Sequence, residues 1–302
     1  MKILVLRGGA LGDFIVTLPA LRALCEHWPG ARVELAGNAV AAQLGLRAGW
    51  LHAAHSQHEA RWAALYSAAP LPAVFAAWLD SFDRIISFWA DPDGTLRRHF
   101  EHRGADFLAS HPQVGSRPAA RHFCEALVPW GLHCRSFELR LEVPPGELES
   151  LRERLGPPRR FIALHPGSGS AHKNWPAVRW KELCSRLPTP LLLVSGEADP
   201  PLALTGPGIL QARSWPLSTL GAALRLASLY LGHDTGVSHL AASVGTPSLL
   251  LFGPTDPAIW APPDPCVQVL RAGPALTDIA VEDVLREISR FGLGSLDQAA
   301  PA

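Results

Sequence analysis

Residues 2–24, KILVLRGGALGDFIVTLPALRAL, decide the fold of this chain. Their first six residues, Lys2–Arg7, form a nearly continuous apolar run, which is typical of a strand buried in a parallel sheet. A flexible turn follows, with glycines at Gly8, Gly9 and Gly12. Apolar residues then recur at three-residue spacing over 14–28, which predicts a helix. Pro19 lies inside that helix and predicts a kink or a later start.

The same alternation of short apolar runs and helical patterns continues along the chain, which indicates a parallel α/β architecture. Further strands are predicted at 32–36, 84–88, 106–109, 137–143, 161–165, 191–195, 229–232 and 248–252. Further helices are predicted at 39–47, 72–82, 118–130, 146–155, 177–187, 217–227, 236–244 and 278–291. Prolines and glycines around 144–158 mark a boundary, so we predict two domains, 1–155 and 156–302. We expect the tail 295–302 to be disordered.

The bulk composition excludes several classes of protein. The formal net charge of the 302 residues is zero, which argues against nucleic acid as the main partner. Five scattered cysteines without a CxxC pair indicate a reducing compartment rather than a disulfide framework or a zinc site. The apolar run at the N-terminus is too short for a signal peptide, and no run approaches the roughly 20 residues of a membrane span. We therefore expect a soluble, cytoplasmic protein, for which peripheral membrane contact stays open.

The glycine turn between the first strand and helix lies where ligands bind in such folds. Asp13 stands near the start of the helix, where the helix dipole favours an ionised carboxylate. Two interpretations stay open from these residues alone: a ligand-binding turn, or a tight turn in which Asp13 caps the helix. A dinucleotide fingerprint is disfavoured. The spacing is GGxxG rather than GxGxxG, and no acidic residue ends the second strand.

A second loop, HPGSGSAHKNWP at 165–176, follows the first strand of the second domain. Its glycines and serines offer amides and hydroxyls to phosphate oxygens, and Lys173 adds a compact positive charge. The residues that we assign to phosphate binding here are Ser168, Gly169, Ser170 and Lys173. The alternative is an ordinary Gly/Ser loop that ends at a helix.

A third motif, GHDTGVSHLAA at 232–242, runs from a strand directly into a helix. The free amides at Thr235 and Gly236 predict an anion site that suits a diphosphate. Asp234 would repel phosphate, so it points at sugar hydroxyls or caps the helix. His239 is either a catalytic residue or, more commonly for a lone helical histidine, a packed and hydrogen-bonded one. Glu197, at another strand exit, has the chemistry to hold a ribose diol.

Metal sites receive little support from the sequence. Asp91 and Asp93 have the spacing of an acidic pair, but the Asp93-Gly94 dipeptide indicates a turn. No HExxH motif occurs among the 13 histidines. We therefore expect no metal and no cofactor.

Taken together, the three motifs make the sequence resemble glycosyltransferase family 9, the ADP-heptose:lipopolysaccharide heptosyltransferases. The matching stretches are LRGGALGDFIVTLPALRAL, ALHPGSGSAHKNWP and GHDTGVSHLAASVGTPSLLLFGPTDP. The resemblance implies a GT-B fold, in which two Rossmann-like, doubly wound parallel-sheet domains face a central cleft. It also implies an N-terminal acceptor domain, a C-terminal donor domain, and inverting transfer without a bound metal. Residues 50–110, where the acceptor should bind, match weakly.

The resemblance also implies roles for single residues. Asp13 falls on the general base, and Lys173 joins it as a catalytic residue that binds phosphate together with Ser168 and Ser170. Glu197 falls on the acid that holds the ribose, and Leu217 lies beside the adenine. Asp234, Thr235, Gly236 and His239 fall on the donor motif.

The expected partners are therefore a nucleotide-sugar donor, such as ADP-heptose, and a glycan or glycolipid acceptor. The expected step is an in-line displacement, in which Asp13 accepts the proton of the attacking hydroxyl. Three alternatives stay open: a nucleotide-sugar epimerase on the same fold, a non-catalytic sugar-nucleotide or glycolipid binding protein, and, more distantly, an NAD-linked oxidoreductase.

Overall fold

The structure is a computed structural model. It describes residues 1–138, 140–156, 160–187, 190–197, 199, 202 and 204–292. The chain divides into two compact units, Met1–Phe137 and Glu138–Ala302. This division comes earlier than the predicted boundary after residue 155. The reason is that helix Pro145–Leu155 belongs to the second unit, where it packs on helix Leu217–Leu226 and buries Leu151.

The first unit contains a five-stranded parallel sheet with the strand order β3-β2-β1-β4-β5. Its strands are β1 (Lys2–Arg7), β2 (Arg32–Gly37), β3 (Ala53–Ser56), β4 (Arg84–Ser87) and β5 (Asp106–Ala109). β1 lies in the centre and pairs with β2 and β4 in parallel register. Ile3 to Leu6 are fully buried, as their continuous apolar run predicts.

Six helices belong to the first unit. They are α1 (Leu11–Ile15), α2 (Leu18–His27), α3 (Ala39–Arg47), α4 (Ala73–Leu79), α5 (Thr95–Arg98) and α6 (Ala119–Glu125). Short 3₁₀ turns cover Ala60–Tyr66 and Val128–Trp130. The helix predicted over 14–28 is two helices that break at Val16 and Thr17. Pro19 lies in the first turn of α2, where a missing amide proton costs no helical hydrogen bond.

The second unit contains a six-stranded parallel sheet with the order β11-β10-β9-β6-β7-β8. Its strands are β6 (Ile162–His165), β7 (Leu191–Ser195), β8 (Ile209–Arg213), β9 (Leu229–His233), β10 (Ser248–Leu251) and β11 (Val267–Leu270). Its helices are α7 (Pro145–Leu155), α8 (Ala177–Arg186), α9 (Leu217–Leu226), α10 (Gly236–Ser243), α11 (Pro257–Trp260) and α12 (Val281–Arg290). Short 3₁₀ turns cover Ala171–Lys173 and Leu276–Asp278.

Both sheets have the doubly wound topology of a dinucleotide-binding fold. In each sheet the first strand of the unit lies beside the fourth, and the chain changes direction there. This switch point lies between β1 and β4 in the first unit, and between β6 and β9 in the second. Ligands bind at the carboxyl ends of strands at such a point. The three predicted motifs all leave the sheets there, since they follow β1, β6 and β9.

One predicted strand is wrong, and the predicted disorder of the C-terminal tail concerns residues outside the described part of the chain. The described residues of the predicted strand 137–143 belong to no strand; Leu141 N instead donates to Ser243 O at 2.7 Å. The predicted disorder of 295–302 concerns residues that the structure does not describe. Every described helix falls short of the length and apolar character that crossing a bilayer requires.

Candidate functional site

The glycine turn after β1 requires glycine at one position above all. Gly9 has a φ of +110°, and a Cβ on it would lie 2.5 Å from Oδ2 of Asp13. Gln57 holds the turn, accepting from Gly9 N at 2.9 Å and donating to Gly9 O at 3.3 Å. Asn38 Nδ2 donates to the same carbonyl at 3.2 Å. The turn is therefore fixed by side chains from two neighbouring strand exits.

The other two glycines of the turn have different surroundings. A Cβ on Gly8 would lie 3.1 Å from Gln57 Oε1 and 3.4 Å from Trp89 Nε1, so this position is tight. Gly12 lies in the first turn of α1. Both Gly8 and Gly9 line a pocket in the first unit, whereas Gly12 shapes the start of the helix.

Replacing Gly9 by alanine tests how tightly the turn holds Asp13. Gly49 is a matched control, since it also has a positive φ of +73° but nothing within 4 Å of its Cβ position. A strained φ costs of the order of 1–3 kcal/mol. We expect Gly9→Ala to lower the free energy of unfolding by about 1 kcal/mol more than Gly49→Ala, because only the first adds a clash. Urea denaturation measures both losses of unfolding free energy. Equal losses for the two variants would show that a Cβ at residue 9 does not clash with Asp13.

Asp13 lies at the third position of α1, and both of its carboxylate oxygens have partners. Oδ2 accepts from Ala10 N at 2.9 Å, and Oδ1 accepts from Arg7 Nη2 at 3.0 Å. Ala10 is the N-cap residue, so the carboxylate caps the helix from inside its first turn. The side chain is 38% exposed. The carboxylate is therefore fixed in orientation and still open to a ligand.

Arg7 is a further residue of the candidate site, and the sequence analysis did not single it out. Its side chain is 6% exposed, and its guanidinium lies 4.4 Å from the centre of the Phe123 ring. Nε donates to Thr17 Oγ1 at 3.1 Å, and Thr17 in turn donates to Asp13 O at 2.9 Å. Burial lowers the pKa of Arg7, while the Asp13 carboxylate opposes that shift. Arg7 therefore positions Asp13 with a charge that has little access to water.

The loop after β6 has an internal hydrogen-bond network. Ser168 is buried, and its hydroxyl donates to Ser170 O at 2.7 Å and accepts from Ser170 N at 3.3 Å. Gly169 is exposed, and Lys173 N donates to Ser170 O at 2.9 Å. The Ser168 hydroxyl thus shapes the loop, while Gly169 and Ser170 are the members that face outward.

Lys173 and Asp234 meet although 60 residues of sequence separate them. Lys173 Nζ donates to Asp234 Oδ2 at 2.9 Å, and the two side chains are 35% and 9% exposed. The β6 loop and the β9 exit are therefore joined by a half-buried ion pair at the switch point of the second unit.

The start of α10 is shaped for an anion. Thr235 is its N-cap residue and accepts from Ser238 N, so Gly236 begins the helix. The first amides of a helix have no partner within the helix, and the helix dipole places positive charge there. Thr235, Gly236 and Val237 are half-buried. The first amides of α10 therefore lie next to the Lys173–Asp234 pair, and the anion site at this helix start stays a prediction.

A second side-chain pair, His165 and Asp199, joins this site through hydrogen bonds and was missed in the sequence. His165 Nε2 lies 2.9 Å from Asp199 Oδ2, and His165 Nδ1 lies 3.2 Å from Thr235 Oγ1. The hydrogen bond from His165 lowers the pKa of Asp199, which also accepts from Gly196 N at 2.6 Å. The pair links the ends of β6 and β7 to the cap of α10.

Gly167 allows this pair to form. A Cβ on Gly167 would lie 2.2 Å from Asp199 Oδ1, so a larger residue would push the carboxylate away. The carboxylate that the structure joins to the loop is therefore Asp199. Glu197, the acid predicted from sequence, is exposed in the turn after β7.

The remaining predicted donor residues lie in the second unit at separate places. Leu217 is half-buried and begins α9, directly after β8. His239 is buried within α10. Among the residues that the structure describes, no group of three or more His, Cys, Asp and Glu side chains is arranged to hold a metal.

Comparisons with known proteins give a family match and two curated relatives. A model of glycosyltransferase family 9 (heptosyltransferase) matches residues 214–283, which contain the β9–α10 motif. Lipopolysaccharide heptosyltransferase 1 of Pseudomonas aeruginosa is 26% identical over 85% of this chain and 80% of its own length. Lipopolysaccharide heptosyltransferase 3 of Escherichia coli is also 26% identical, and that match spans 45% of this chain and 44% of the relative.

A solved structure extends the likeness to the whole fold. The Escherichia coli heptosyltransferase WaaC with ADP has a TM-score of 0.72 at 18% identity, over 96% of this chain and all of that one. This match confirms the predicted GT-B fold. The predicted cleft concerns the placement of the two units and stays a prediction. The family match and the two curated relatives support glycosyltransferase family 9, the family that the sequence motifs resemble.

Proposed function

We propose that this chain is an inverting glycosyltransferase that moves heptose from ADP-heptose onto a hydroxyl of a lipopolysaccharide-core or related glycan. The proposal includes catalysis without a bound metal, in the cytoplasm, with peripheral contact to the inner membrane where the acceptor is a glycolipid. The observation that carries it is the switch point of the second unit, where Lys173, Asp234 and the start of α10 lie together.

This arrangement suits the departure of a nucleoside diphosphate. The negative charge on the leaving diphosphate grows as the bond to the sugar breaks, and fixed donors stabilise it most in the transition state. The Lys173 ammonium and the amides of Gly236 and Val237 supply such donors. Asp234 is unsuited to phosphate but can accept hydrogen bonds from sugar hydroxyls.

In the first unit, we assign Asp13 as the general base that accepts the proton of the acceptor hydroxyl. Both oxygens of its carboxylate are fixed by one hydrogen bond each, which leaves further lone pairs for the proton of an acceptor hydroxyl. In the proposed step the acceptor oxygen attacks the anomeric carbon, its proton moves to Asp13, and the diphosphate leaves with the bonding electrons. The attack from the opposite face inverts the anomeric centre.

Replacing Lys173 tests the diphosphate site. A hydrogen bond to a charged group is worth about 1.5–3 kcal/mol, so we expect Lys173→Met to weaken ADP-heptose binding by about 10- to 100-fold. Lys181→Met is the control, since Lys181 is an exposed lysine on α8 of the same unit. Calorimetric titration of both variants measures the effect. Similar affinities for the two would remove Lys173 from the donor site.

A thermal-shift panel tests the donor itself. A ligand that binds only the native state raises the melting temperature, so ADP-heptose should stabilise the chain more than GDP-, UDP- or dTDP-sugars. The same assay and the transfer assay are repeated with EDTA, and we expect neither to change. Preferential stabilisation by a uridine donor would overturn the donor assignment, and loss of transfer in EDTA would overturn metal independence.

A further inference from the structure

Three side chains of the second unit, Asp199, His165 and Thr235, form a hydrogen-bonded triplet that ends at the start of α10. Asp199 Oδ2 lies 2.9 Å from His165 Nε2, and His165 Nδ1 lies 3.2 Å from Thr235 Oγ1. The side chain of His165 is 5% exposed and that of Asp199 is 10% exposed. The triplet therefore joins the exits of β6, β7 and β9 through groups that have little access to water.

The proton positions in the triplet follow from the charge of Asp199. The hydrogen bond from His165 lowers the pKa of Asp199, and Oδ2 also accepts from Gly196 N at 2.6 Å. An ionised carboxylate can only accept, so the proton between the two side chains lies on His165 Nε2. The Nδ1 atom of a neutral imidazole then has no proton and can only accept. The Thr235 hydroxyl therefore donates its proton to His165.

The oxygen of the Thr235 hydroxyl also has partners inside the unit. Thr235 Oγ1 accepts from Ser238 N as the N-cap of α10. The Ser238 hydroxyl itself donates to His233 O, and it lies 3.0 Å from the hydroxyl of Tyr230, which donates to it. Ser238 and Tyr230 are buried. These contacts leave the proton of Thr235 directed at His165 and not at a ligand.

The direction of this hydroxyl bears on the amides at the start of α10. These first amides have no partner within the helix, and the N-cap side chain holds the turn that presents them. Donors that are already fixed stabilise a growing negative charge better than donors that must first reorient. The Lys173–Asp234 ion pair lies at the same strand exits. The triplet is therefore placed to fix the donors that would face a leaving diphosphate.

We infer that Asp199 and His165 are positioning residues of the donor site, which turn the Thr235 hydroxyl inward. Thr235 would then serve the diphosphate through the backbone amides of the helix start and not through its side chain. Both positioning residues act through Thr235. The inference rests on the proposed function, because it concerns how the same site is held in place.

The tautomer of His165 tests this inference without any ligand. Long-range proton–nitrogen NMR of the full chain at pH 8, where an imidazole in water is uncharged, distinguishes the two tautomers. We expect His165, identified by the signal that His165→Gln removes, to carry its proton on Nε2. Asp199→Ala should abolish this preference. A proton on Nδ1 in the unmodified chain, or a preference that survives Asp199→Ala, would overturn the inference.

Calorimetric titration with ADP tests what the triplet does for the site. His165→Leu leaves the Thr235 hydroxyl without its acceptor and should weaken ADP binding about tenfold. His165→Gln should retain most of the affinity, because an amide can donate to Asp199 and accept from Thr235. His55→Leu is the matched control, since His55 Nε2 also lies 2.9 Å from a carboxylate oxygen, that of Glu34, in the first unit. It should leave the affinity unchanged.

A double variant separates positioning from a general loss of structure. Thr235→Val removes the hydroxyl through which His165 acts, so adding His165→Leu should weaken ADP binding by less than about twofold more. Independent effects of the two changes, or equal affinities for His165→Leu and either His165→Gln or the unmodified chain, would overturn the inference. An unmodified chain that binds no ADP would instead refute the proposed function, while the tautomer of His165 is read without ligand.

Discussion

Asp13→Asn is expected to lower the rate of sugar transfer by about 10²- to 10⁴-fold, the usual contribution of a general base. Asparagine has nearly the same shape and retains an oxygen that can accept from Ala10 N or Arg7 Nη2. It cannot take up the proton of the acceptor hydroxyl. Donor affinity should change little, because the proposed donor contacts lie in the second unit.

Asp106→Asn is the matched control for this experiment. Asp106 also pairs with an arginine, Arg84, at 2.7 Å, and it lies in the same unit at the sheet edge. It should leave the transfer rate unchanged. Initial rates at saturating donor and acceptor, with donor affinity measured separately, give the comparison. A transfer rate for Asp13→Asn within about twofold of the unmodified chain would exclude Asp13 as the base.

His233 is expected to make the second unit lose stability as the pH falls. It ends β9, is fully buried, and accepts from Trp175 N at 3.0 Å through Nε2. Burial, with a smaller contribution from His165, lowers its pKa to about 3 from the usual 6.5. Between these values the unfolded chain binds a proton that the folded chain does not, so stability is full above pH 6.5 and declines below it.

The expected loss of unfolding free energy follows from the two pKa values, and His233→Gln is its control. One proton corresponds to about 1.4 kcal/mol per pH unit, or about 5 kcal/mol over the whole window. His233→Gln keeps an acceptor for Trp175 N but does not titrate, so its unfolding free energy should vary less with pH between 6.5 and 4. Urea denaturation of both proteins at several pH values measures the two slopes. Parallel slopes would show that His233 does not control the acid sensitivity.

The central strands were predictable because burial on both faces leaves a continuous apolar run. β1, β6, β7 and β10 all show such a run and lie near their predicted bounds. The edge strands β3, β8 and β11 were missed. Their residues are largely half-exposed, as in Ala53–Ser56, so they lack the continuous apolar signal of a central strand.

The backbone features of the site were also predictable, whereas its side-chain contacts were not. A glycine turn after a strand, and a helix that begins at Gly236 behind the N-cap residue Thr235, can both be recognised from neighbouring residues in the sequence. The Lys173–Asp234 and His165–Asp199 pairs join residues that are far apart in sequence, so only the folded sheet brings them together. Arg7 was overlooked for another reason. It is the last residue of an otherwise apolar strand, and the sequence does not show that its guanidinium pairs with Asp13.

Acceptor-dependent transfer is the most direct test of the central claim. The purified chain is incubated with ADP-heptose, with and without a lipopolysaccharide-core oligosaccharide, and the products are analysed by mass spectrometry. We predict that the acceptor gains the mass of one heptosyl residue, which is heptose less one water, and that an equimolar amount of ADP is released, only when both substrates are present. A changed sugar nucleotide without acceptor would indicate an epimerase, and bound donor without any turnover would indicate a binding protein; either result would contradict the account.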